Sequence, residues 1–447
     1  MGLIGTMFKT YRASSKSREK IVKLQNKRLK KLVKYARNNS SYFEELYKDI
    51  GNNFELKDLS VVSKVDMMNN FNRYITDSSI NLSKIDEFIS DVKNVGHMIN
   101  EKYLVFKTSG STGNPAIILY DKYNIDVSAS VAALRTFARK EDLDVFKKND
   151  KRTAGVFANN GFYLACGMSK YFELQMPDKK NKITIDVNES EQEIIRQLNE
   201  FKPSMLSGYP SNLLLLSDNE ELSINPDIVI TGGELLTDEV REKLKNKFNC
   251  YVQTHYSCTE AGEIACECKC GHLHINEDWV IVEAVDKDNN PVSSGVMSDK
   301  VLITNLSNYI QPFIRYELSD RIIIHEEACP CGNNMRWLEV EGRTDDILEF
   351  DNDILIAPMS LYKILSDIKQ IMRFQLIQKS INKLELRLVC ENKEEIFIEA
   401  RNRLVEYLNS MGVNDVFIML SNEEPKPNKI SGKFNHIYKE IQEKVDE

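Results

Sequence analysis

The chain has 447 residues, 42% hydrophobic and 28% charged, enough for more than one core and for about three units of average domain size. A net charge of −8 leaves no overall basic footprint for nucleic acid, so no nucleic-acid partner is expected. No apolar run approaches the ~20 residues of a membrane helix and no secretory signal opens the chain, so a cytoplasmic protein without a transmembrane segment is expected. The first predicted element is helical, from Lys16 to about Tyr47. In it Lys20, Lys23, Lys27 and Lys34 interleave with Ile21, Leu24, Leu29 and Leu32, the pattern of an amphipathic helix with a solvated basic face.

The text then turns α/β. Strands are predicted at Tyr103–Phe106 and Ile117–Tyr120 on either side of a Gly/Ser/Thr loop, and a short buried strand at Ile228–Ile230 ends in Thr231-Gly232-Gly233-Glu234. A helix follows from about Asp238. Asp238 and Glu239 in its first turn and Lys243, Lys245 and Lys247 towards its end complement the helix dipole. Tyr251–Gln253 is the next strand, and residues 279–325 are strand-rich. Past Gly342-Arg343-Thr344-Asp345-Asp346 come a strand (Ile347–Phe350), a helix (359–369), paired strands (Phe374–Gln378, Leu384–Val389), a helix (394–410) and a strand (Val416–Leu420). The expected organisation is a large α/β body over residues 1–344 and a small α+β domain over 345–447.

Thr108-Ser109-Gly110-Ser111-Thr112-Gly113-Asn114-Pro115 is the densest chemical signal. Glycines let successive N–H groups converge on an anion, and four hydroxyls add donors. The Gly-Lys-Ser/Thr ending of a P-loop is missing. Nine cysteines, an odd number clustered as C-x-C, point to a reducing compartment and metal rather than disulfides. Cys268-Lys269-Cys270-Gly271 and Cys329-Pro330-Cys331-Gly332 can together supply four thiolates to one tetrahedral Zn²⁺. A closed four-ligand site of this kind is structural rather than catalytic. No spacing among the six histidines supports a Ser-His-Asp or Cys-His nucleophile.

Five further stretches follow the loop in a recognisable order: Gly232-Gly233-Glu234; His255-Tyr256-Ser257-Cys258-Thr259-Glu260; Tyr316-Glu317-Leu318-Ser319-Asp320; Gly342–Asp346; and Lys429-Ile430-Ser431-Gly432-Lys433. With the loop they make the chain resemble, over nearly its whole length, the adenylate-forming superfamily. The likeness is greatest to its phenylacetate–CoA ligase-like branch, which includes CapK-like proteins of capsular polysaccharide synthesis. The resemblance implies an α/β fold of the acyl-adenylate synthetase type, with a large N-terminal domain of several subdomains and a small mobile α+β C-terminal lid. It also implies a ligase that uses ATP and Mg²⁺ to activate a small-molecule carboxylic acid and passes the acyl group to coenzyme A or to another acceptor, an amine or a carrier-protein thiol. The alternative of another class is a non-catalytic nucleotide-binding zinc scaffold. Oligomeric state stays open, a homodimer included.

Residue by residue, the resemblance gives Thr108, Ser109, Gly110, Ser111, Thr112 and Gly113 to the β- and γ-phosphates. Gly233 and Glu234 go to the adenine and acyl pockets, and Tyr256 to stacking on adenine. Thr259 goes to the α-phosphate, Glu260 to Mg²⁺, and Asp320 with Arg343 to the ribose. Asp345 becomes the hinge and Lys433 the cation at the carboxylate and α-phosphate. For zinc the branch pattern implies Cys268, His274, Cys329 and Cys331, with Cys270 as alternative to His274. Asn114 and Ser319 depart from the usual Lys and Gly, and Cys258 stands inside the Tyr…Thr-Glu motif. The residue types suit the task. A carboxylate attacking a phosphate is a reaction between anions, so catalysis must supply positive charge and in-line placement.

Overall fold

The computed structural model describes residues 2–108, 115–175, 180–343, 347–428 and 432–440. The chain divides into two compact units: Met1–Leu318 with Ile322–Val340, and Ser319–Arg321 with Glu341–Glu447.

The first unit opens with two helices, α1 (Leu3–Ser14) and α2 (Arg18–Asn39). The stretch expected to be helical from Lys16 to about Tyr47 is divided at Ser40, whose extended backbone (φ −130°, ψ 120°) ends α2 and caps the short helix Ser41–Leu46. Its hydroxyl accepts from Phe43 N–H at 3.4 Å and donates to the Arg73 carbonyl at 2.8 Å, so a capping residue stops the helix where hydrophobic periodicity alone would carry it on.

Strands β1 (Tyr103–Lys107) and β2 (Ile117–Asp121) form an antiparallel hairpin around the Gly/Ser/Thr loop, with Phe106 opposite Ile118. The main sheet takes β3 (Thr153–Phe157), β4 (Lys182–Asp186), β5 (Met205–Gly208), β6 (Ile228–Gly232), β7 (Tyr251–Cys258), β8 (Gly262–Glu267) and β9 (Leu273–Ile275). Strands β10 (Val280–Val285), β11 (Lys300–Asn305) and β12 (Tyr316–Leu318) make a separate three-stranded antiparallel sheet. With β13 (Asp320–His325) and β14 (Trp337–Arg343) the main sheet reads β13-β14-β9-β8-β7-β6-β5-β3-β4. From β4 to β7 it is parallel, and its strands are short runs such as Ile228-Val229-Ile230, buried on both faces as helix-covered parallel strands must be. Beyond β7 the pairing turns antiparallel.

Polar contacts fasten the N-terminal helices to this body. Asp278, fully buried, takes both terminal nitrogens of Arg135 at 2.7 and 3.0 Å, and the same arginine reaches Asn276 and the Thr10 carbonyl. Glu277, also fully buried, pairs with Arg336 at 2.8 Å and with Arg18. Arg28 lies 3.5 Å above the Trp279 ring. Removing one partner of a buried pair costs about 3–5 kcal/mol, so the knot at 277–279 is a principal fastening of α1 and α2.

The second unit holds the hairpin β15 (Leu348–Phe350) and β16 (Ile354–Ile356). A four-stranded sheet of order β19-β18-β17-β20 follows, made of β17 (Ile371–Ser380), β18 (Lys383–Cys390), β19 (Phe417–Leu420) and β20 (Ile437–Lys439). Helices Pro358–Ser366 and Lys393–Ser410 pack on it through Leu361, Leu365, Leu404 and Leu408. Pro358 at the first helical position has its ring φ pre-set and no N–H to leave unpaired.

Candidate active site and metal centre

Register decides which loops meet. Gly208 of β5 lies beside Thr231 of β6, and Gly232 of β6 beside His255 of β7, so these parallel strands run out at one edge of the sheet. Three sequence motifs follow at that edge: Tyr209-Pro210-Ser211, Gly233-Glu234 and Thr259-Glu260. Crevices outside the carboxyl ends of parallel strands are where open α/β sheets bind ligands. Gly233 turns the chain with φ +78°, a conformation that disfavours any other residue. The Glu234 carboxylate accepts from the Ser211 N–H at 3.2 Å and hydroxyl at 2.7 Å, at the start of the helix Pro210–Ser217, and so locks two of the three loops together.

Tyr256 is buried on β7, opposite Ala265 of β8. The Thr259 carbonyl accepts from the Tyr120 hydroxyl at 2.9 Å, which ties the β1–β2 hairpin to the end of β7. Glu260 is only 6% exposed, and its carbonyl accepts from Asn305 at 2.9 Å. Burial, then the neighbouring Glu260, push the Tyr316 phenol far above its ordinary range, keeping it a neutral wall of the site. Thr108 closes the neck of the hairpin loop: its N–H bonds the Ala116 carbonyl at 3.0 Å, and its hydroxyl takes the Ala116 N–H at 2.8 Å. Ser109, Gly110, Ser111, Thr112, Gly113 and Asp345 lie outside the described residues.

His255 points into a network of its own. Nε2 faces the Gln253 amide at 3.1 Å and the Thr136 carbonyl at 3.2 Å, while Nδ1 faces Glu263 at 3.5 Å. In the second unit, Arg343 donates to the Ser319 hydroxyl at 2.6 Å, beside Asp320, and Arg321 pairs with Glu341 at 3.0 Å. The Lys433 carbonyl accepts from the Asn428 N–H at 2.8 Å, and the Gly432 N–H donates back to the Asn428 carbonyl at 2.8 Å, so the backbone at Gly432 and Lys433 is tied to Asn428.

The cysteine cluster is the best-defined constellation among the described residues. Ligand atoms of Cys268, His274, Cys329 and Cys331 all lie within 4.8 Å of one another. Cys268 Sγ is 3.7 Å from Cys329 Sγ, and Cys331 Sγ is 3.3 Å from His274 Nε2. A tetrahedron with metal–sulfur bonds of about 2.3 Å has edges of about 3.8 Å, so these spacings match the donor set of a zinc site. Two near-identical turns present the sulfurs. Gly271 N–H bonds the Cys268 carbonyl at 2.8 Å and Gly332 N–H the Cys329 carbonyl at 3.0 Å, each glycine at positive φ (+80° and +86°). The N–H groups of Cys270, Cys331 and Asn333 point at Cys268, Cys329 and Cys331 sulfurs at 3.4 to 3.5 Å.

His274 bonds the Met335 carbonyl through Nδ1 at 2.7 Å, which makes Nδ1 the N–H and leaves the Nε2 lone pair facing the sulfurs. Burial opposes ionisation of Cys268, yet the His274 contact and the N–H groups of Cys270 and His272 outweigh it and bring the thiol down to about 6. Burial and the adjacent sulfurs push Cys329 up to about 11 and Cys331 upward too. A divalent ion would hold all three sulfurs ionised. Cys270 is exposed and stands outside the four-atom group.

No protein-family model matches the chain. Its fold is that of the adenylate-forming enzymes. It is similar to 2-hydroxyisobutyryl-CoA ligase, solved in the postadenylation state with 2-HIB-AMP, at a TM-score of 0.68 and 16% identity over 92% of this chain and 88% of that one. It is also similar to the anthranilate CoA ligase AuaEII, solved with anthranoyl-AMP, at a TM-score of 0.50 and 14% identity over 73% and 64%. In sequence, too, the chain is similar over most of its length to a CapK protein and to phenylacetate–CoA ligases. It is 24% identical to Protein CapK of Staphylococcus aureus over 83% of this chain and 79% of that one. It is likewise 24% identical to the phenylacetate–coenzyme A ligase of Thermus thermophilus over 86% and 84%.

Proposed function

We propose that the chain is an ATP-dependent carboxylate-activating ligase that makes an acyl-adenylate and hands the acyl group to coenzyme A. The observation that carries this reading is the juxtaposition of Gly233-Glu234 and Thr259-Glu260 at the ends of neighbouring parallel strands, with Tyr120 linking the hydroxyl-rich hairpin to the same edge. A carboxylate oxygen attacks the α-phosphorus of ATP and pyrophosphate leaves. The thiol then attacks the activated carbonyl and AMP leaves. The hairpin loop from Thr108 to Gly113 takes the departing phosphates, Thr259 the α-phosphate, Tyr256 the adenine face, Asp320 and Arg343 the ribose, and Lys433 the charge of the attacking carboxylate. Glu260, a buried carboxylate beside a threonine, suits Mg²⁺ bound through one acid and substrate phosphates.

The Cys268, His274, Cys329 and Cys331 set is a structural zinc site whose four protein ligands leave no coordination position for water, and it pins β9 to the turn before β14. Its part in the reaction is to keep the antiparallel half of the sheet rigid beside β7 and β8.

A panel of aryl, fatty, amino and sugar acids, each assayed for ATP–pyrophosphate exchange without coenzyme A, tests the first half-reaction. Adding coenzyme A tests the second. Acid-dependent exchange followed by thioester is expected. Exchange without thioester moves the acceptor to an amine or carrier thiol, and no exchange with any acid rejects ligase chemistry.

A further inference from the structure

Helix α1 is amphipathic the wrong way round. Its inward face is Thr6, Thr10 and Ala13, all fully buried, while Ile4, Phe8 and Tyr11 point outward, 85%, 60% and 70% exposed. Spacings of four and three residues put these three on one stripe of the helix. The inward face is held by hydrogen bonds: the Ser130 hydroxyl donates to the Thr6 hydroxyl at 2.9 Å, the Trp279 indole to the Thr10 hydroxyl at 2.9 Å, and Arg135 to the Thr10 carbonyl at 3.2 Å. The apolar stripe is therefore not a core face left open by loose packing, because the helix is docked through its other side.

The segment that carries the stripe is strongly basic. Residues 3–39 contain twelve Lys and Arg and one acid, Glu19, in a chain whose net charge is −8. On α2 the exposed lysines Lys20, Lys23, Lys27, Lys30, Lys31 and Lys34 share one face, and none forms an ion pair among the described residues. Arg12 lies over the Phe8 ring at 5.5 Å, so one cation flanks the stripe directly. Burial, and then the fields of Arg28, Lys31 and Lys27, depress the ammonium of Lys9, so the two helices crowd like charges together.

We infer that α1 and the lysine face of α2 form a docking surface for an anionic lipid bilayer, with Ile4, Phe8 and Tyr11 entering the headgroup boundary and the lysines lying against the phosphates. Apolar and aromatic residues beside a polybasic face are the composition of helices that lie in a membrane interface, where each basic residue and each buried apolar group adds to binding. A bilayer removes both costs at once, the exposed apolar stripe and the uncompensated charge. A second copy of the chain would cover the stripe but bring its own twelve cations against these. Duplex nucleic acid would neutralise the lysines and leave the stripe in water. Among the described residues no helix is long and apolar enough to cross a membrane, so the association is peripheral and reversible.

The test is flotation of the full chain with phosphatidylcholine vesicles, with and without about one part in three of phosphatidylglycerol. Expected is co-flotation with the anionic vesicles at low salt, about tenfold or more above the neutral ones and lost at about 0.5 M salt. The triple variant Ile4→Ser, Phe8→Ser, Tyr11→Ser and the pair Lys27→Glu, Lys31→Glu each lower this binding about tenfold or more. Their side chains are exposed, and unchanged thermal melts check that both fold. In Phe8→Trp, the emission moves to the blue when anionic vesicles are added. Absence of flotation by the parent chain overturns the inference, as does flotation that the triple variant keeps. A parent dimer that the triple variant breaks, or duplex DNA held equally by parent and triple variant, also overturns it in favour of those occupants.

Discussion

Lys433→Ala lowers acid-dependent pyrophosphate exchange about 10²–10³-fold while ATP binding, followed by equilibrium dialysis, stays within a few-fold of the parent. That loss is about 3–4 kcal/mol of transition-state stabilisation. Attack of a carboxylate on a phosphate brings negative charge against negative charge, so a positioned ammonium matters most as the new bond forms and far less in the complex with ATP. The Asn428 N–H bonds the Lys433 carbonyl, which alanine retains, so the substitution removes the charge and spares that hydrogen bond. Lys433→Arg keeps a cation but replaces a compact point charge with a planar fork and restores only part of the rate. Equal exchange by parent and alanine variant rejects the assigned role.

Cys331→Ser is expected to lose the proposed zinc and to lower the melting temperature by about 4–5 °C. Elemental analysis should find about one zinc atom per parent chain and none in the variant. The temperature follows from a loss of ~3 kcal/mol at ~1.5 °C per kcal/mol for a unit of more than ~300 residues. Zinc binding to thiolates contributes folding free energy directly, and losing one sulfur also leaves crowded thiols beside His274. Cys270→Ser is the sharper control. Cys270 is exposed and outside the four-atom group, so its variant keeps the metal, whereas His274→Ala loses it. The reverse pattern would replace the Cys₃His set with four thiolates, and a metal-free parent chain would discard the site.

What the sequence disclosed and what it hid divide along physical lines. Strands such as Ile228–Gly232 and the helix Asp238–Phe248 were readable because apolar runs, glycine turns and charged helix ends are local signals. The Thr259-Glu260 and Gly233-Glu234 pairs stood out as motifs, but that Ser211 holds Glu234 depends on the β5–β6–β7 register, which no local pattern states. The choice between Cys270 and His274 was equally hidden, since it turns on pairing of His274 with Trp337 and on the Met335 carbonyl, both about sixty residues away. The polar knot of Asp278, Glu277 and Arg135 gave no signal, because isolated charges along a chain read as surface. Helix α1 defeats the usual rule outright: its buried face is threonine and alanine, and the periodicity of Ile4, Phe8 and Tyr11 marks the side that faces water.

The most direct measurement follows oxygen. An acid that supports exchange, labelled with ¹⁸O in its carboxylate, is incubated with ATP, Mg²⁺, coenzyme A and the enzyme, and the nucleotide product is weighed by mass spectrometry. Because the carboxylate oxygen bridges carbon and α-phosphorus in the acyl-adenylate and leaves with AMP, the expected product is AMP carrying one ¹⁸O. Label appearing in inorganic phosphate beside ADP, or AMP released without label, would contradict it.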